Sequence, residues 1–532
     1  MAALFLLLLL LSVFLISALP HSHHHHQQEE LLLRFKAVVS KNDTSLPDWT
    51  PVHHFCNWSA ITCHYNSQSV RAINLSLMSL DGTISPVLGN LYSLRSLDLS
   101  QNYLTGTIPP QLGQLPNLWL LSLYDNQLQG TIPPSLSACR SLYLLALSYN
   151  QLHGTIPPEL SLLTSLKYLY LAVNSLTGTI PPSFENLSTL IDLDLEGNKI
   201  NGPIPSSLGN LSALTYLNLG QNHLQGPIPP ELGMLTNVVE FEFFENNLSG
   251  TIPSSLTNLS KFNRKDLSIN QIRGNIPWEI GTRLPNLEYL SLWRNQLSGN
   301  IPSSLGNCSR LEVLLLNTNQ LGGTVPLELG KLNLLTYLYL HTNQLVSDSS
   351  NSLAFLTALT NSSRLQEIYI GNNRFTGKLP PSIGQLSSNL NKLSVSGNMI
   401  SGNIPQQIVN LTNLTFLDLA VNLFSGNIPC GIKRLHLLEV FYLPRNNLEG
   451  AIPSEIGQMQ HLGLLSLHHN QLSGKIPDSL CHSQQLRRLF LHHNKLSGEI
   501  PVSLEGCQKL ELLDLSYNKL GGRIPGEVIA SL

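Results

Sequence analysis

Two identical His-His-Asn triplets stand 24 residues apart, at His468–His469–Asn470 and His492–His493–Asn494. Imidazoles change charge near neutral pH and bind transition metals when neutral, so this quartet reads as a pH-sensitive patch flanked by Arg445 and Arg488. The plainer alternative is a polar face, and no metal or cofactor is assigned from the sequence. Catalytic spacings are missing: no glycine has serine two residues on, and neither a His-Glu-x-x-His pair nor a Walker A loop occurs. The chain reads as a binding module, not an enzyme.

A second constellation is acidic and aromatic. Tyr168, Tyr170, Asp192, Asp194, Glu196, Tyr216, Glu240, Glu242, Phe244, Glu245, Asp266, Tyr289, Trp293 and Arg294 recur at fixed offsets before a repeating asparagine. Like charges on neighbouring strands repel, so folding alone does not favour them. They suggest a groove for an extended, basic or amphipathic peptide, with rings as anchors and carboxylates meeting Lys or Arg. A solvated acidic face is the alternative.

These offsets exist because the chain is periodic. The asparagine closing Leu-x-x-Leu-x-Leu-x-x-Asn recurs 18 times from Asn102 to Asn518, mostly at intervals of 24. Five residues before it, 17 of 18 units are apolar, and three residues before it all 18 are. The Leu-x-Leu alternation is a short strand with inward leucines, and the next unit supplies a parallel neighbour about 4.8 Å away. No single unit can bury its leucines, but a stack can. The asparagine amide donates and accepts, so it can satisfy backbone groups where the chain leaves the strand. Glycine four residues later permits a turn, and Ile-Pro starts an extended segment. The fold class is an α/β repeat, a right-handed leucine-rich-repeat solenoid with the parallel sheet on its concave face. A degenerate first unit with Met78 at the asparagine position makes 19 units.

Irregular units carry their own expectations. Lys265 takes a core leucine position, so its unit is either distorted or lets the lysine snorkel out. Cys139, Cys308 and Cys507 share a column thirteen residues after the asparagine and read as buried thiols. Cys430 and Cys481 lie in other columns and read as free. Seven cysteines leave at least one thiol without a partner in the chain. The interval from Asn343 to Asn373 is 30 residues, a six-residue insertion in place of the usual Gly-x-Ile-Pro turn.

Residues 2–19 form the one long apolar run, read as a signal peptide over 1–18. A disordered His/Gln-rich leader (19–27), a cap (28–66) and the repeats (67–532) follow. A net charge of -3 argues against nucleic acid, and the mature chain has no second run of membrane-spanning length. Charged residues make up only 12%. Eleven Asn-x-Ser/Thr sequons occur, at Asn42, Asn57, Asn74, Asn186, Asn210, Asn247, Asn258, Asn307, Asn361, Asn410 and Asn413. Glycans there would supply solubility. Five of these (Asn186, Asn210, Asn258, Asn307, Asn410) share a convex-side column twelve residues after their asparagines.

The stretch EELLLRFKAVVSKNDTSLPDW followed by FCNWSAITC resembles the N-terminal cap of plant leucine-rich-repeat receptors. Together with DGTISPVLGNLYSLRSLDLSQN and SLAFLTALTNSSRLQEIYIGNNRFTGKLPPSIGQLSSNL, it is similar to subfamily XII of the plant receptor kinases. The resemblance implies a disulfide between Cys56 and Cys63 and a ligand-binding ectodomain for a peptide or protein in defence or development. It also implies delivery through the secretory pathway to the cell surface or apoplast, a plasma-membrane place if a transmembrane helix follows, and a co-receptor kinase ectodomain as partner. Ala60 stands where that family usually has glycine, and Ser362 where it often has cysteine. The family continues with a C-terminal cap, a membrane helix and, in kinases, a catalytic domain, so the end at GGRIPGEVIASL reads as a truncation without a cap. A secreted repeat-only inhibitor of a cell-wall-degrading enzyme is the competing class.

Overall fold

A computed structural model describes residues 26–39, 46–66, 68–348, 353–524 and 526. The signal segment, leader residues 19–25, Asn42 and the last residues of the expected uncapped end lie outside them. The chain divides into two compact units, Met1–Ser249 and Gly250–Leu532.

The first unit opens with a helix over 26–39 that buries Leu32, Phe35 and Val39. It takes in His26 and Gln27, which the sequence placed in a disordered leader. The Gln28 side chain explains the early start, accepting the Val70 N–H at 2.9 Å and so tying the first turn to the sheet. Trp49 stacks on Trp58 with ring centroids 5.4 Å apart, and its indole N–H donates to the Ser59 carbonyl. Strand Ile61–Cys63 pairs antiparallel with Val70–Asn74, and Cys56 and Cys63 are joined as a disulfide. Ala60 has φ +66°, in the left-handed region, which gives the family's glycine there a backbone reason.

From Val70–Asn74 onward, three-residue strands pair in parallel with no register slip, one per repeat. Leu169 stands opposite Leu193, and Leu193 opposite Leu217. The second unit repeats the pattern from Arg264–Asp266 to Leu512–Asp514. The inward leucines are fully buried, each contributing about 2 kcal/mol of apolar burial. Behind the strands run short 3-10 turns such as Pro182–Asn186, several with proline fixing φ at the first position.

The asparagine ladder forms as its chemistry requires. Asn126 Nδ2 donates to the carbonyls of Leu99 and Leu123, at 3.0 and 3.2 Å, while its Oδ1 accepts the Leu104 N–H at 3.0 Å. One amide thus bonds its own turn and the turn before. The residue preceding each ladder asparagine is left-handed, even β-branched Val173 (φ 52) and Ile269 (φ 53). Their N–H groups donate to the following turn, Val173 to Glu196 and Ile269 to Trp293, which holds the strained backbone in place. Gly178 sits at φ +75, where a Cβ would come within 2.8 Å of Thr155 Cγ2.

Three sequence expectations need correction. Lys265 neither distorts its strand nor snorkels. Arg264–Asp266 pairs with Tyr289–Ser291 in regular register, and Lys265 is 0% exposed because the alternation fixes its direction. Cys481 and Cys507 are neither free nor a buried thiol but a disulfide, with Cα atoms 4.8 Å apart. Cys481 stands in the turn Asp478–His482 and Cys507 closes the next turn, Val502–Gly506, so stacking brings two different columns together. Cys139 and Cys308 are buried free thiols and Cys430 is an exposed one. In the stretch between Asn343 and Asn373, Ala354–Ala358 forms a helical turn, and Leu353, Phe355 and Leu356 are buried.

Candidate functional site

The strand period decides which side chains share the open face of the sheet. In the first unit the central strand residue points inward and its neighbours point out, so Tyr168, Tyr170, Asp192, Asp194, Tyr216, Glu240 and Glu242 stand half-buried on one face. Asp194 lies between register partners Tyr170 and Asn218, and Asp192 between Tyr168 and Tyr216. The Tyr170 hydroxyl donates to Asp192 Oδ2 at 2.9 Å, and Thr215 Oγ1 donates to Oδ1 at 3.1 Å. Asn218 Nδ2 bonds Glu196 Oε2 at 2.7 Å and Tyr216 Oη at 3.1 Å. Phe244 lays its ring where a Cβ on Gly220 would come within 2.5 Å, so a bare backbone seats that anchor. Exposed Glu245 bonds Gln221 at 2.9 Å.

Burial pushes the Asp194 carboxyl up to about 6, with the charges of Glu196, Glu242 and Asp192 adding to the effect and one backbone N–H from Glu196 opposing it. Burial, and then the Asp194 and Glu242 charges, raise the Tyr216 phenol. This face is therefore acidic, with the Asp194 carboxyl crowded by like charges. Beside it lies a hollow of about 450 Å³ lined by Leu120, Tyr124, Leu144, Tyr149, Tyr170 and Asp194, among others. The rings of Trp119, Tyr143 and Tyr168 follow one another edge to face, 5.9 and 5.3 Å apart. Trp119, Tyr143 and Asn218 escaped the sequence reading, the first two because they precede Tyr168, where the constellation read from the sequence begins.

In the second unit, Asp266 is buried and Tyr289 half-buried, with the Tyr289 hydroxyl donating to Asp266 Oδ2 at 3.3 Å. The Arg264 guanidinium sits 3.9 Å from the Tyr289 ring centroid, a cation–π contact the sequence reading passed over although Arg264 occupies a considered offset. Trp293 is half-buried and Arg294 exposed. A further row follows. Tyr339 Oη donates to Glu367, Lys392 Nζ pairs with Glu367 at 3.0 Å, and the Tyr339 and Tyr369 rings meet edge to face at 5.0 Å. Carrying the same offsets past Arg294 would have found it.

The four histidines do stack, His468 on His492 and His469 on His493, with centroids 4.3 and 4.2 Å apart. Burial, then the neighbouring His492, His469 and Arg445, drives the His468 imidazole down to about 4, and His469 is lowered for similar reasons. Ten sequon asparagines fall within the described residues and all ten are exposed. The shared column is the last residue of a 3-10 turn, as at Asn186 and Asn210.

With this geometry in hand, similarity to known proteins is decisive. The sequence matches the family described as leucine rich repeat N-terminal domain over residues 25–64, and leucine rich repeat descriptions over several segments from 93–115 to 509–529. The solved structure of plant peptide hormone receptor RGFR1 in complex with RGF2 superposes with a TM-score of 0.82 at 36% identity, over 87% of this chain and 72% of that one. This chain belongs to the plant leucine-rich-repeat receptor ectodomains. A second relative is the Arabidopsis receptor kinase HAESA, solved with the peptide hormone IDA and the co-receptor SERK1. There the TM-score is 0.67 at 32% identity, over 94% of this chain and 95% of that one. By sequence, the ectodomain is 43% identical over 70 residues to the LRR receptor-like serine/threonine-protein kinase EFR of Arabidopsis thaliana. That match spans 13% of this chain and only 7% of the kinase. The matched families are leucine-rich-repeat descriptions and their N-terminal domain. Among the described residues no helix is long and apolar enough to cross a membrane.

Proposed function

We propose that this ectodomain serves a plant cell-surface receptor and binds an extended peptide carrying Lys or Arg along the open face of its first unit. The observation that carries the reading is Asp194, a carboxyl held up to about 6 by burial and like charges beside an aromatic-lined hollow. A cationic side chain placed there relieves the repulsion and gains the nearby rings as a seat. Peptide complexes of the solved relatives support the mode, and the HAESA complex supports a co-receptor kinase ectodomain as second partner. Glycans on the exposed turn asparagines would leave the sheet bare.

The test is selection of binders from a library of extended peptides on the wild-type protein. Winners are expected to contain Lys or Arg, to lose about tenfold or more in affinity on Asp194→Asn, and to weaken as pH falls below about 6. Selected peptides that bind wild type, Asp194→Asn and Tyr170→Phe alike would overturn the assignment.

A further inference from the structure

The histidine cluster lies within the second unit. Strands Leu464–Ser466 and Arg488–Phe490 pair in parallel, and the N–H groups of His469 and Asn470 donate to the carbonyls of His492 and His493. The backbone therefore fixes each imidazole above its counterpart in the next turn. His469 and His493 both have left-handed backbones, φ 54 and 53. His468 and His469, though adjacent in sequence, meet edge to face with their Nδ1 atoms 2.9 Å apart. One donor nitrogen each from His468, His469 and His492 lies within 4.8 Å of the others, the one such group among the described residues. Behind them, Asp514 Oδ2 lies 3.1 Å from His492 Nδ1.

We propose that His468, His469 and His492 form a binding site for a divalent transition ion of the zinc class on the open face of the sheet. Three half-buried imidazoles whose nitrogens lie within 4.8 Å of one another are a ligand set of the type zinc accepts. Bonds of about 2.0–2.1 Å put the nitrogens of a tetrahedral site roughly 3.3 Å apart, so the closest pair opens slightly and the widest closes. Side-chain rotation accomplishes this once one ring of the His468–His492 stack tilts, since lone pairs lie in the ring planes. Asp514 is a positioning residue. Its carboxylate lies 3.1 Å from His492 Nδ1, close enough to steady that ring when a metal draws it in. The remaining coordination position is open to water or to a carboxylate of a bound partner.

The test uses the full chain, zinc alone as probe, and diethyl pyrocarbonate footprinting read peptide by peptide by mass spectrometry. This readout separates the cluster from the N-terminal His21–His26 run, which can chelate zinc by itself. Zinc is expected to slow modification of His468, His469 and His492 by roughly tenfold while leaving exposed His153 and His223 unchanged. His468→Asn/His492→Asn should abolish the shielding of His469, and Asp514→Asn should weaken zinc by about tenfold. Equal modification of the three histidines with and without zinc overturns the site. So does shielding of His469 that survives the double substitution.

Discussion

Tyr170 reaches past its register partner Asp194 to donate to Asp192 Oδ2 at 2.9 Å. With Thr215 on the other oxygen, Asp192 is satisfied within the fold, whereas Asp194 accepts one N–H, from Glu196, and faces three carboxylates. The two neighbours should therefore answer oppositely to amide substitution. The Asp194 folded pKa lies above its unfolded value, so ionising it costs the native state, and stability is lost as pH rises from about 4 to about 6. Asp194→Asn should remove that loss and stabilise the protein at pH 7 by on the order of 2 kcal/mol. Asp192→Asn should cost about 1 kcal/mol, since an amide cannot accept both bonds. Unfolding at pH 4.5 and 7 checks both. An Asp194→Asn protein with the wild-type pH dependence contradicts the argument.

Lys265 is the clearest local flaw in the core. Its amine is fully buried, has no hydrogen-bond partner, and is pushed down to about 8 by desolvation. The unfolded chain holds the proton up to about 10.4, so between these values unfolding takes up a proton and stability rises with pH. Below about pH 8 the full penalty applies, about 3 kcal/mol. Lys265→Met should remove it, seen as greater hydrogen-exchange protection of Arg264–Asp266 at pH 7, with a gain that shrinks toward pH 10. A variant no better protected than wild type at pH 7 refutes this.

The sequence and the fold agree most closely where one rule repeats. Ladder asparagines, inward leucines and strand register all follow from a 24-residue period, because each unit meets only its neighbours. The left-handed residue before each asparagine was illegible, since Val173, Ile269 and His469 share no side-chain signal; the hydrogen bond to the next turn imposes that backbone. The Cys481–Cys507 bond was illegible for a related reason. Column counting compares like positions, whereas these cysteines meet across unlike ones. Within the acidic face, the residue types were readable but the saturation of Asp192 was not, because it depends on Tyr170 crossing diagonally between strands.

Ser362 is fully buried and its hydroxyl finds no partner in the chain. It occupies the position equivalent to Cys139 and Cys308 once the six-residue insertion is allowed for, which suits a small apolar group. A buried unsatisfied hydroxyl costs about 1–3 kcal/mol. Ser362→Ala should therefore stabilise the second unit by roughly 1 kcal/mol, and Ser362→Cys by a similar amount, measured as a higher urea midpoint at unchanged slope. A lower midpoint for both variants would show that the hydroxyl is satisfied by ordered water.

Cys481 and Cys507 close a loop across neighbouring turns of the second unit, separated by 26 residues in sequence. Closing a loop of that length removes unfolded-state freedom worth about 3–4 kcal/mol. In an array stabilised by nearest neighbours, that contribution is local: it holds these two turns together rather than raising the whole molecule's stability. Cys481→Ala/Cys507→Ala should thus lose hydrogen-exchange protection in the turns Asp478–His482 and Val502–Gly506 and leave the first unit unchanged. Thiol counting gives an independent check. Denatured but unreduced protein should titrate three thiols, those of Cys139, Cys308 and Cys430, and reduced protein seven. Five thiols before reduction would mean that only one of the two bonds forms.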